Sequence, residues 1–148
     1  MSTYTQIIYH IVFSTKYQEP TLVQPNRQEL FKYIWGISKK KHCHLYRING
    51  VDDHLHLATH LHPSIALASL VKDMKLASSE YIKEQSLFPR FGGWQNGYGA
   101  FTYGFDAKNR LITYVRNQEE HHKRISFREE YINLLTEHGI EFDEKYLL

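Results

Sequence analysis

The spacing of apolar residues divides the chain into four strands and four helices. Strands are predicted where β-branched and aromatic residues dominate or alternate with polar ones, and helices where apolar residues recur at every third or fourth position. The predicted strands cover residues 4–14, 43–48, 54–60 and 100–105. The predicted helices cover residues 26–41, 64–81, 108–121 and 126–139.

Turn and cap residues mark where several of these elements begin and end. The pairs at 49–50 (Asn-Gly) and 52–53 (Asp-Asp) predict a tight reversal, so the second and third strands should form a hairpin. Asn26 and Ser64 are the predicted caps of the first two helices. Ser126 opens a capping box at the start of the last helix, which a glycine ends.

The resulting order, β-α-β-β-α-β followed by further helices, is typical of the ferredoxin-like split β-α-β sandwich. In this α+β fold an antiparallel sheet carries helices on one face, which leaves its other face free for a site. The extra C-terminal helices carry Tyr114 and Gln118. We expect one domain, residues 1–148, that buries about two-thirds of the surface of its unfolded chain.

The composition indicates an ordinary cytoplasmic protein. Apolar residues make up 42% of the chain and charged residues 23%, and no apolar run approaches the roughly 20 residues that span a bilayer. Residues 1–6 lack the features of a signal peptide, and Cys43 is the only cysteine. We therefore expect neither a membrane span nor a disulfide framework.

A formal net charge of +2 neither requires nor excludes nucleic acid as a partner. Any contact with DNA must therefore come from local clusters of basic residues. The candidates are Lys39, Lys40, Lys41, Arg116, Lys123 and Arg124. Such clusters are more often solvated helix faces than phosphate contacts, so both interpretations stay open.

The sequence His54-Leu55-His56 is the first candidate for chemistry. Residues two apart on a strand point to the same side, so both imidazoles project together while Leu55 packs behind them. Two neutral imidazoles on a rigid strand form half of a divalent-metal site. A closed zinc site is disfavoured because such sites usually use several cysteines, and magnesium or manganese suits mixed nitrogen and oxygen ligands.

Tyr114 and Gln118 are the second candidate because they are four residues apart. On a helix they lie on one face, with a phenol beside an amide oxygen. A tyrosine on a helix usually only packs, and a lone glutamine is usually a solvated surface amide. Together with the histidine pair, however, the two side chains suit metal-assisted attack of a tyrosine on a phosphodiester.

Several ordered motifs carry a resemblance to a known family. They are residues 9–16, 51–57, 94–98 and 114–123, and the ending at 130–147 also fits. These motifs resemble the small one-tyrosine transposases of the HUH superfamily, which comprise insertion-sequence transposases and their REP-associated relatives. The resemblance covers essentially the whole chain, and the joint occurrence of the motifs is far more specific than the histidine pair alone.

The resemblance implies a site and an activity. It implies that His54 and His56 hold a magnesium or manganese ion and that Gln118 is the third protein ligand. Tyr114 is implied as the nucleophile that forms a 5′-phosphotyrosine link to single-stranded DNA beside a hairpin. The family also implies a bacterial or archaeal cytoplasm and a homodimer, in which the histidine pair of one subunit faces the tyrosine helix of the other.

Three other interpretations stay open at this point. A histidine-rich metal hydrolase would use Tyr114 only for packing and would form no covalent intermediate. A domesticated protein would bind DNA hairpins without cutting them, although the intact set of histidines, tyrosine and glutamine argues against it. A replication initiator or relaxase would share the chemistry, but such proteins usually carry extra domains.

Overall fold

A computed structural model describes residues 2–147 of the chain. Its strands are β1 (Ile8–Ser14), β2 (Leu45–Val51), β3 (His54–His60) and β4 (Gly99–Tyr103). They form one antiparallel sheet in the order β2-β3-β1-β4. The two central strands, β1 and β3, are buried along almost their whole length. The α+β fold class predicted from the order of the elements is confirmed.

Two long helices, α1 (Arg27–Lys40) and α2 (Leu67–Glu84), pack on one face of the sheet. Leu30 and Leu70 from these helices meet Leu55 and Leu57 from β3, and all four side chains are fully buried. Burying a leucine contributes about 1.5–3 kcal/mol to folding. The larger apolar core of the protein therefore lies between this face and the two helices.

Three shorter helices cover the opposite face. They are α3 (Lys108–Arg116), α4 (Gln118–His121) and α5 (Phe127–Glu137). Val115 of α3 packs on Ala58, and Leu134 of α5 packs near Val12. The expectation that this face is left free is therefore wrong, because the C-terminal helices close over it and bring their polar side chains against the sheet.

The helix predicted over 108–121 is interrupted at Asn117. This residue ends α3 with φ −93° and ψ 19°, and α4 begins at the next residue. Asparagine is a weak helix former because its side chain competes for nearby backbone groups. The backbone amides of Asn117 and His121 still bond the carbonyls four residues earlier, so the two helices follow one another closely.

The hairpin between β2 and β3 turns at two residues. Asp52 and Asp53 form the turn, because Val51 already pairs with His54. Gly50 belongs to β2, and a Cβ atom there would lie 2.3 Å from the carbonyl oxygen of His54. The strand therefore extends past residue 48, where its end was predicted, and the glycine permits close approach of the paired strand rather than forming the turn.

The three predicted helix caps have different outcomes. Asn26 precedes α1, but its side-chain amide donates to the carbonyl of Leu87 and does not cap the helix. Ser64 is not a cap, since α2 begins only at Leu67 and the serine hydroxyl lies 2.7 Å from Nδ1 of His62. Ser126 caps α5 as predicted, and its hydroxyl accepts from the amide of Glu129 at 3.2 Å.

None of the helices within residues 2–147 is both long and apolar enough to cross a membrane.

Candidate active site

The two histidines of β3 lie on the face that α3, α4 and α5 cover. His54 and His56 are fully buried, and their ring centroids are 5.0 Å apart. The alternation of the strand directs Leu55 and Leu57 to the other face, into the core with α1 and α2. The structure thus brings the pair together on one side, as the spacing predicts.

A third imidazole and a carboxylate complete a buried cluster around this pair. Nε2 of His122, just after α4, lies 3.0 Å from Nε2 of His54. Oε1 of Glu130, on α5, lies 2.9, 2.9 and 3.3 Å from the Nε2 atoms of His56, His122 and His54, respectively. The ligand atoms of these four side chains lie within 4.8 Å of one another. Three imidazoles and a carboxylate at this separation could hold a divalent metal ion.

The other ring nitrogen of each histidine is bound outside the cluster. Nδ1 of His54 donates to Oδ1 of Asp53 at 2.7 Å, and Nδ1 of His122 donates to the carbonyl of Ile125 at 2.9 Å. Nδ1 of His56 lies 2.7 Å from Nε2 of His10. Such outer partners fix the orientation of the rings in metal sites. All three Nε2 atoms are therefore directed at one point.

Burial opposes charge on the members of this cluster, and hydrogen bonds decide which charges remain. Burial raises the pKa of Glu130, but hydrogen bonds from the three histidines outweigh it and hold the pKa well below its usual range. Burial lowers the pKa of His56 to about 4. Burial also lowers the pKa of His54, but hydrogen bonds to Asp53 and Glu130 reverse the shift and raise it. An ionised carboxylate thus faces a neutral His56.

Tyr114 and Gln118 lie at the edge of the same cluster. The Tyr114 hydroxyl donates to Oε2 of Glu130, and Nε2 of Gln118 donates to that oxygen at 3.2 Å. Burial and the neighbouring carboxylate raise the pKa of Tyr114, so the phenol keeps its proton. Gln118 is fully buried, and its Oε1 has no hydrogen-bond partner within residues 2–147. That oxygen is an acceptor available to a cation.

Three members of the site were missed in the sequence: His10, His122 and Glu130. His10 belongs to β1 and reaches His56 across 46 residues of chain, whereas Glu130 reaches it across 74. An acid on an otherwise apolar helix face, eight residues after the histidine pair at 121–122, was the available signal for Glu130. The capping box at Ser126 predicts where α5 begins, but only the packing of α5 against the sheet brings that acid to the histidines.

Two clefts lead toward the cluster. A small one of about 160 Å³ is lined by Tyr114, His121, Glu130 and Asn133. A larger one of about 600 Å³ on another side is lined by His122, Asp53 and Lys123, among others. Tyr114 and His122 therefore border solvent-accessible space, although most of the cluster is buried.

Lys39 and Lys40 at the end of α1, and Lys41 directly after it, lie on the side of the sheet opposite the histidines. Lys39 stands 5.1 Å over the ring of Trp35, and Lys41 forms an ion pair with Asp73 at 2.6 Å. Lys40 is exposed beside them. Contact of these lysines with DNA stays a prediction. The sheet lies between them and the histidine cluster.

The other basic candidates lie on the same side as the histidines. Arg116 is exposed at the end of α3, and Lys123 and Arg124 directly follow His122. Lys123 forms an exposed ion pair with Glu120 at 2.8 Å. Solvent screens such an exposed pair strongly, so it leaves Lys123 only weakly held. Their role in DNA binding also stays a prediction.

A fold of this type with a buried histidine cluster beside a tyrosine is that of a one-tyrosine transposase domain. The chain belongs to the family described as "Transposase IS200 like", whose model matches residues 3–118. This membership supports DNA transposition as the activity and a metal ion as its requirement. The matched segment includes Tyr114 and Gln118 but ends before His122 and Glu130.

Solved structures share this fold. A candidate transposase from Deinococcus radiodurans R1 is 23% identical, with a TM-score of 0.63, and the match covers 80% of this chain and 95% of that one. A REP-associated tyrosine transposase, solved bound to a REP hairpin, is 12% identical, with a TM-score of 0.63 and coverage of 84% and 76%. At these identities the likeness establishes the fold. A search of curated proteins finds no significant match.

Proposed function

We propose that the protein is a metal-dependent single-stranded DNA endonuclease and strand transferase with Tyr114 as its nucleophile. One observation carries this proposal: the Tyr114 hydroxyl shares the carboxylate of Glu130 with His56 and His122. A phenol therefore lies at the edge of a cluster of metal-ligand atoms. Metal-assisted attack of a tyrosine on a phosphodiester requires that proximity.

His54, His56 and Gln118 are the proposed protein ligands of the metal, with His122 as a further one. The converging Nε2 atoms and the unpartnered Oε1 of Gln118, among the described residues, fit a divalent ion. Such an ion would neutralise charge on the scissile phosphate and orient it for in-line attack. Three imidazoles form a nitrogen-rich donor set, so we favour manganese over magnesium, which prefers oxygen ligands.

Tyr114 attacks the phosphorus and forms a 5′-phosphotyrosine link, which releases a free 3′-hydroxyl. The covalent link conserves the energy of the phosphodiester, so a second 3′-hydroxyl can reverse the reaction on another strand without ATP. An ordinary phenol has a pKa near 10, and burial beside Glu130 raises that of Tyr114 further. The attack therefore needs a group that removes the phenolic proton.

Single-stranded DNA with a hairpin near the cleavage point is the proposed substrate. The REP hairpin bound by the REP-associated relative supports this choice. Arg116, Lys123 and Arg124 offer positive charge on the histidine side of the sheet. Single strands are commonly held by such basic groups together with aromatic stacking.

A denaturing protein gel tests the proposal. Single-stranded oligonucleotides that carry hairpins from the DNA flanking the gene are incubated with the protein and MnCl2. We expect a covalent adduct that disappears with a chelator and in Tyr114→Phe. Tight hairpin binding without an adduct would instead identify a domesticated DNA-binding protein. Adduct formation by Tyr114→Phe would exclude this tyrosine as the nucleophile.

A homodimer with shared sites stays a proposal that the family resemblance suggests. Within one chain, the Tyr114 hydroxyl donates to Glu130, which also lies 2.9 Å from Nε2 of His56, and this supports a site assembled within one subunit. Mixed dimers of Tyr114→Phe and His54→Ala distinguish the two arrangements. Partial recovery of activity supports sites shared between subunits, whereas no recovery in correctly mixed dimers supports a site within one chain.

A further inference from the structure

We propose that a cleft beside the histidine cluster binds one pyrimidine base of the single-stranded DNA substrate. The cleft lies between the end of β1, the loop at residues 94–98 and α5. This inference rests on the proposed function, because it names the part of the same substrate that the cleft holds. The observations that carry it are a buried hydroxyl without a partner, an aromatic lining and the size of the cleft.

The hydroxyl of Ser14 is the first observation that points to a ligand. Residues alternate along β1, so Ser14 lies on the same face of the sheet as Val12, which packs in one apolar cluster with Phe127 of α5. Ser14 lines the cleft and is 2% exposed, and its Oγ has no hydrogen-bond partner within residues 2–147. Buried polar groups are nearly always paired in folded proteins. A hydroxyl both donates and accepts, so it can pair with the polar edge of a base that fills the cleft.

Aromatic rings form much of the remaining lining. Phe127 and Tyr131 stack on each other, with ring centroids 5.4 Å apart and 20° between the ring planes. Tyr98 and Tyr146 line the same cleft and are exposed to solvent. Bases of single strands commonly stack on such rings, because every base has a π face. Several rings together with one hydroxyl suit a nucleobase better than an aliphatic or a charged ligand.

The volume of the cleft favours a base with a single ring. The cleft measures about 160 Å³. An apolar cavity of about 150 Å³ accommodates benzene. A pyrimidine has one ring of that size, whereas a purine has two fused rings. The cleft therefore fits cytosine or thymine.

The loop that forms one wall of the cleft is held in place by the rest of the protein. The amide of Gln95 donates to the carbonyl of Ser14 at 2.9 Å, which ties the loop to the end of β1. The ammonium group of Lys75 on α2 donates to the carbonyls of Gln95, at 2.8 Å, and of Gly97. These contacts fix the backbone directly before Tyr98. A site that is formed in advance loses less free energy to ordering when its ligand binds.

Phe127 connects the cleft to the proposed metal ligands. Its ring stacks on that of His54, with centroids 4.2 Å apart. The same residue also lines the cleft of about 600 Å³ that His122 and Lys123 border. A strand that passes Lys123 beside His122 can therefore continue across Phe127 and place a base against Ser14. That base belongs to an unpaired nucleotide close to the scissile phosphate, since a paired base of the hairpin stem cannot enter the cleft.

Abasic substitution locates the base. Hairpin oligonucleotides from the DNA flanking the gene are made with one single-stranded position at a time replaced by an abasic site. Their affinities are measured for full-length Tyr114→Phe protein with MnCl2, so that no adduct forms. We expect one pyrimidine position whose loss weakens binding about 5- to 150-fold, the range that stacking of one base gives. Equal affinities for all these oligonucleotides overturn the inference, as does a sensitive position that prefers a purine.

Two variants in the same background show whether that base lies in this cleft. Tyr98→Ala removes one lining ring, so the cost of the abasic site should shrink several-fold, since ring and base lose the same contact. Tyr4→Ala is the matched control, because it removes an exposed tyrosine outside the cleft, and the full cost should remain. An undiminished cost in Tyr98→Ala contradicts the assignment.

Ser14→Ala tests the hydroxyl without disturbing the fold. Because Oγ of Ser14 has no partner in the described chain, its loss should leave the thermal unfolding temperature unchanged. The affinity for the oligonucleotide with the intact pyrimidine should fall about 2- to 13-fold, the contribution of one hydrogen bond. Ser79→Ala, in the cleft on the other side of the loop, is the matched control and should keep the affinity. An unchanged affinity in Ser14→Ala contradicts the proposed contact.

A fluorescent base separates this inference from the proposed function. Pyrrolo-cytosine at the sensitive position should lose emission when it stacks in the cleft, and this readout needs no cleavage. Adduct formation by the wild type without quenching at any single-stranded position overturns the inference and leaves Tyr114 as the nucleophile. Quenching that Tyr98→Ala reduces, in a wild type that forms no adduct, supports the cleft and removes the proposed nuclease.

Discussion

The two faces of the sheet differ in chemistry although the same strands build both. On the α1–α2 face, Leu55 and Leu57 of β3 pack among other fully buried apolar side chains. On the opposite face, His54 and His56 of the same strand meet the carboxylate of Glu130. A shift of one position along the strand thus separates an apolar core from a buried polar cluster.

This difference shows that folding stability alone accounts for the residues of only one of the two faces. Burial of apolar side chains favours folding directly, so the α1–α2 face needs no other reason. Burial of an ionised carboxylate costs several kcal/mol before its partners compensate. Apolar residues of similar volume in its place often give a protein that is equally stable or more stable. The cluster around Glu130 is therefore best explained by chemistry. The predictions below test whether the two faces can be separated by mutation.

The largest expected effect on folding comes from a truncation on the apolar face. Leu57→Ala should lower the free energy of unfolding by about 2–5 kcal/mol, because it removes buried methyl groups and leaves a cavity. His56→Ala, one position away, should cost about 1–3 kcal/mol through its unpaired partners. Urea denaturation measures both values. A larger loss in His56→Ala would contradict the assignment of stability to the apolar face.

The fold followed from the sequence where the pattern was local. The bounds of β3 match the prediction at both ends, because its residues alternate between leucines that face the apolar core and histidines that face the polar cluster. β1 begins at Ile8 instead of residue 4, since residues 4–6 are exposed and lie outside the paired register of the sheet. The start of α2 was also missed, because Ser64 bonds His62 and leaves the cap position to Ala66.

About half of the candidate site could be predicted in the same way. His54 with His56, and Tyr114 with Gln118, were identified because each pair has the spacing of one strand or one helix face. His10, His122 and Glu130 were not identified, since each joins the site through contacts between distant parts of the chain. Local periodicity predicts which way a side chain points, whereas only the packing of the helices decides what it meets.

Metal binding should stabilise the protein through the polar face alone. At a Mn²⁺ concentration one hundred times its Kd, we expect about 2.7 kcal/mol of added stability, because the ion binds the folded state. Leu57→Ala should gain as much as the wild type, since its change lies on the other face. His54→Ala should gain nothing. Thermal unfolding with and without MnCl2 measures the effect, and equal stabilisation of His54→Ala would place the metal elsewhere.

A smaller effect is expected from a residue that only orients a ligand. Asp53→Asn weakens the hydrogen bond that holds Nδ1 of His54 at 2.7 Å, and we expect the affinity for Mn²⁺ to fall about 10–100-fold. Asp73→Asn is the matched control, because it removes a carboxylate that pairs with Lys41 on the α1–α2 side. Calorimetric titration compares the two variants. An unchanged affinity in Asp53→Asn would mean that His54 needs no outer partner.

The smallest expected effect concerns DNA binding and tests which face of the sheet the DNA contacts. Each phosphate contact on a single strand contributes about −0.7 to the slope of log K against log salt. The double variant Lys123→Ala, Arg124→Ala should reduce that slope by up to twice this amount, since both residues adjoin His122. Lys39→Ala, Lys40→Ala removes equal charge behind the sheet and should change it less. Binding of a hairpin oligonucleotide at several salt concentrations gives both slopes. The reverse order would mean that DNA runs over the α1–α2 face, and the division of the sheet into a structural face and a working face would fail.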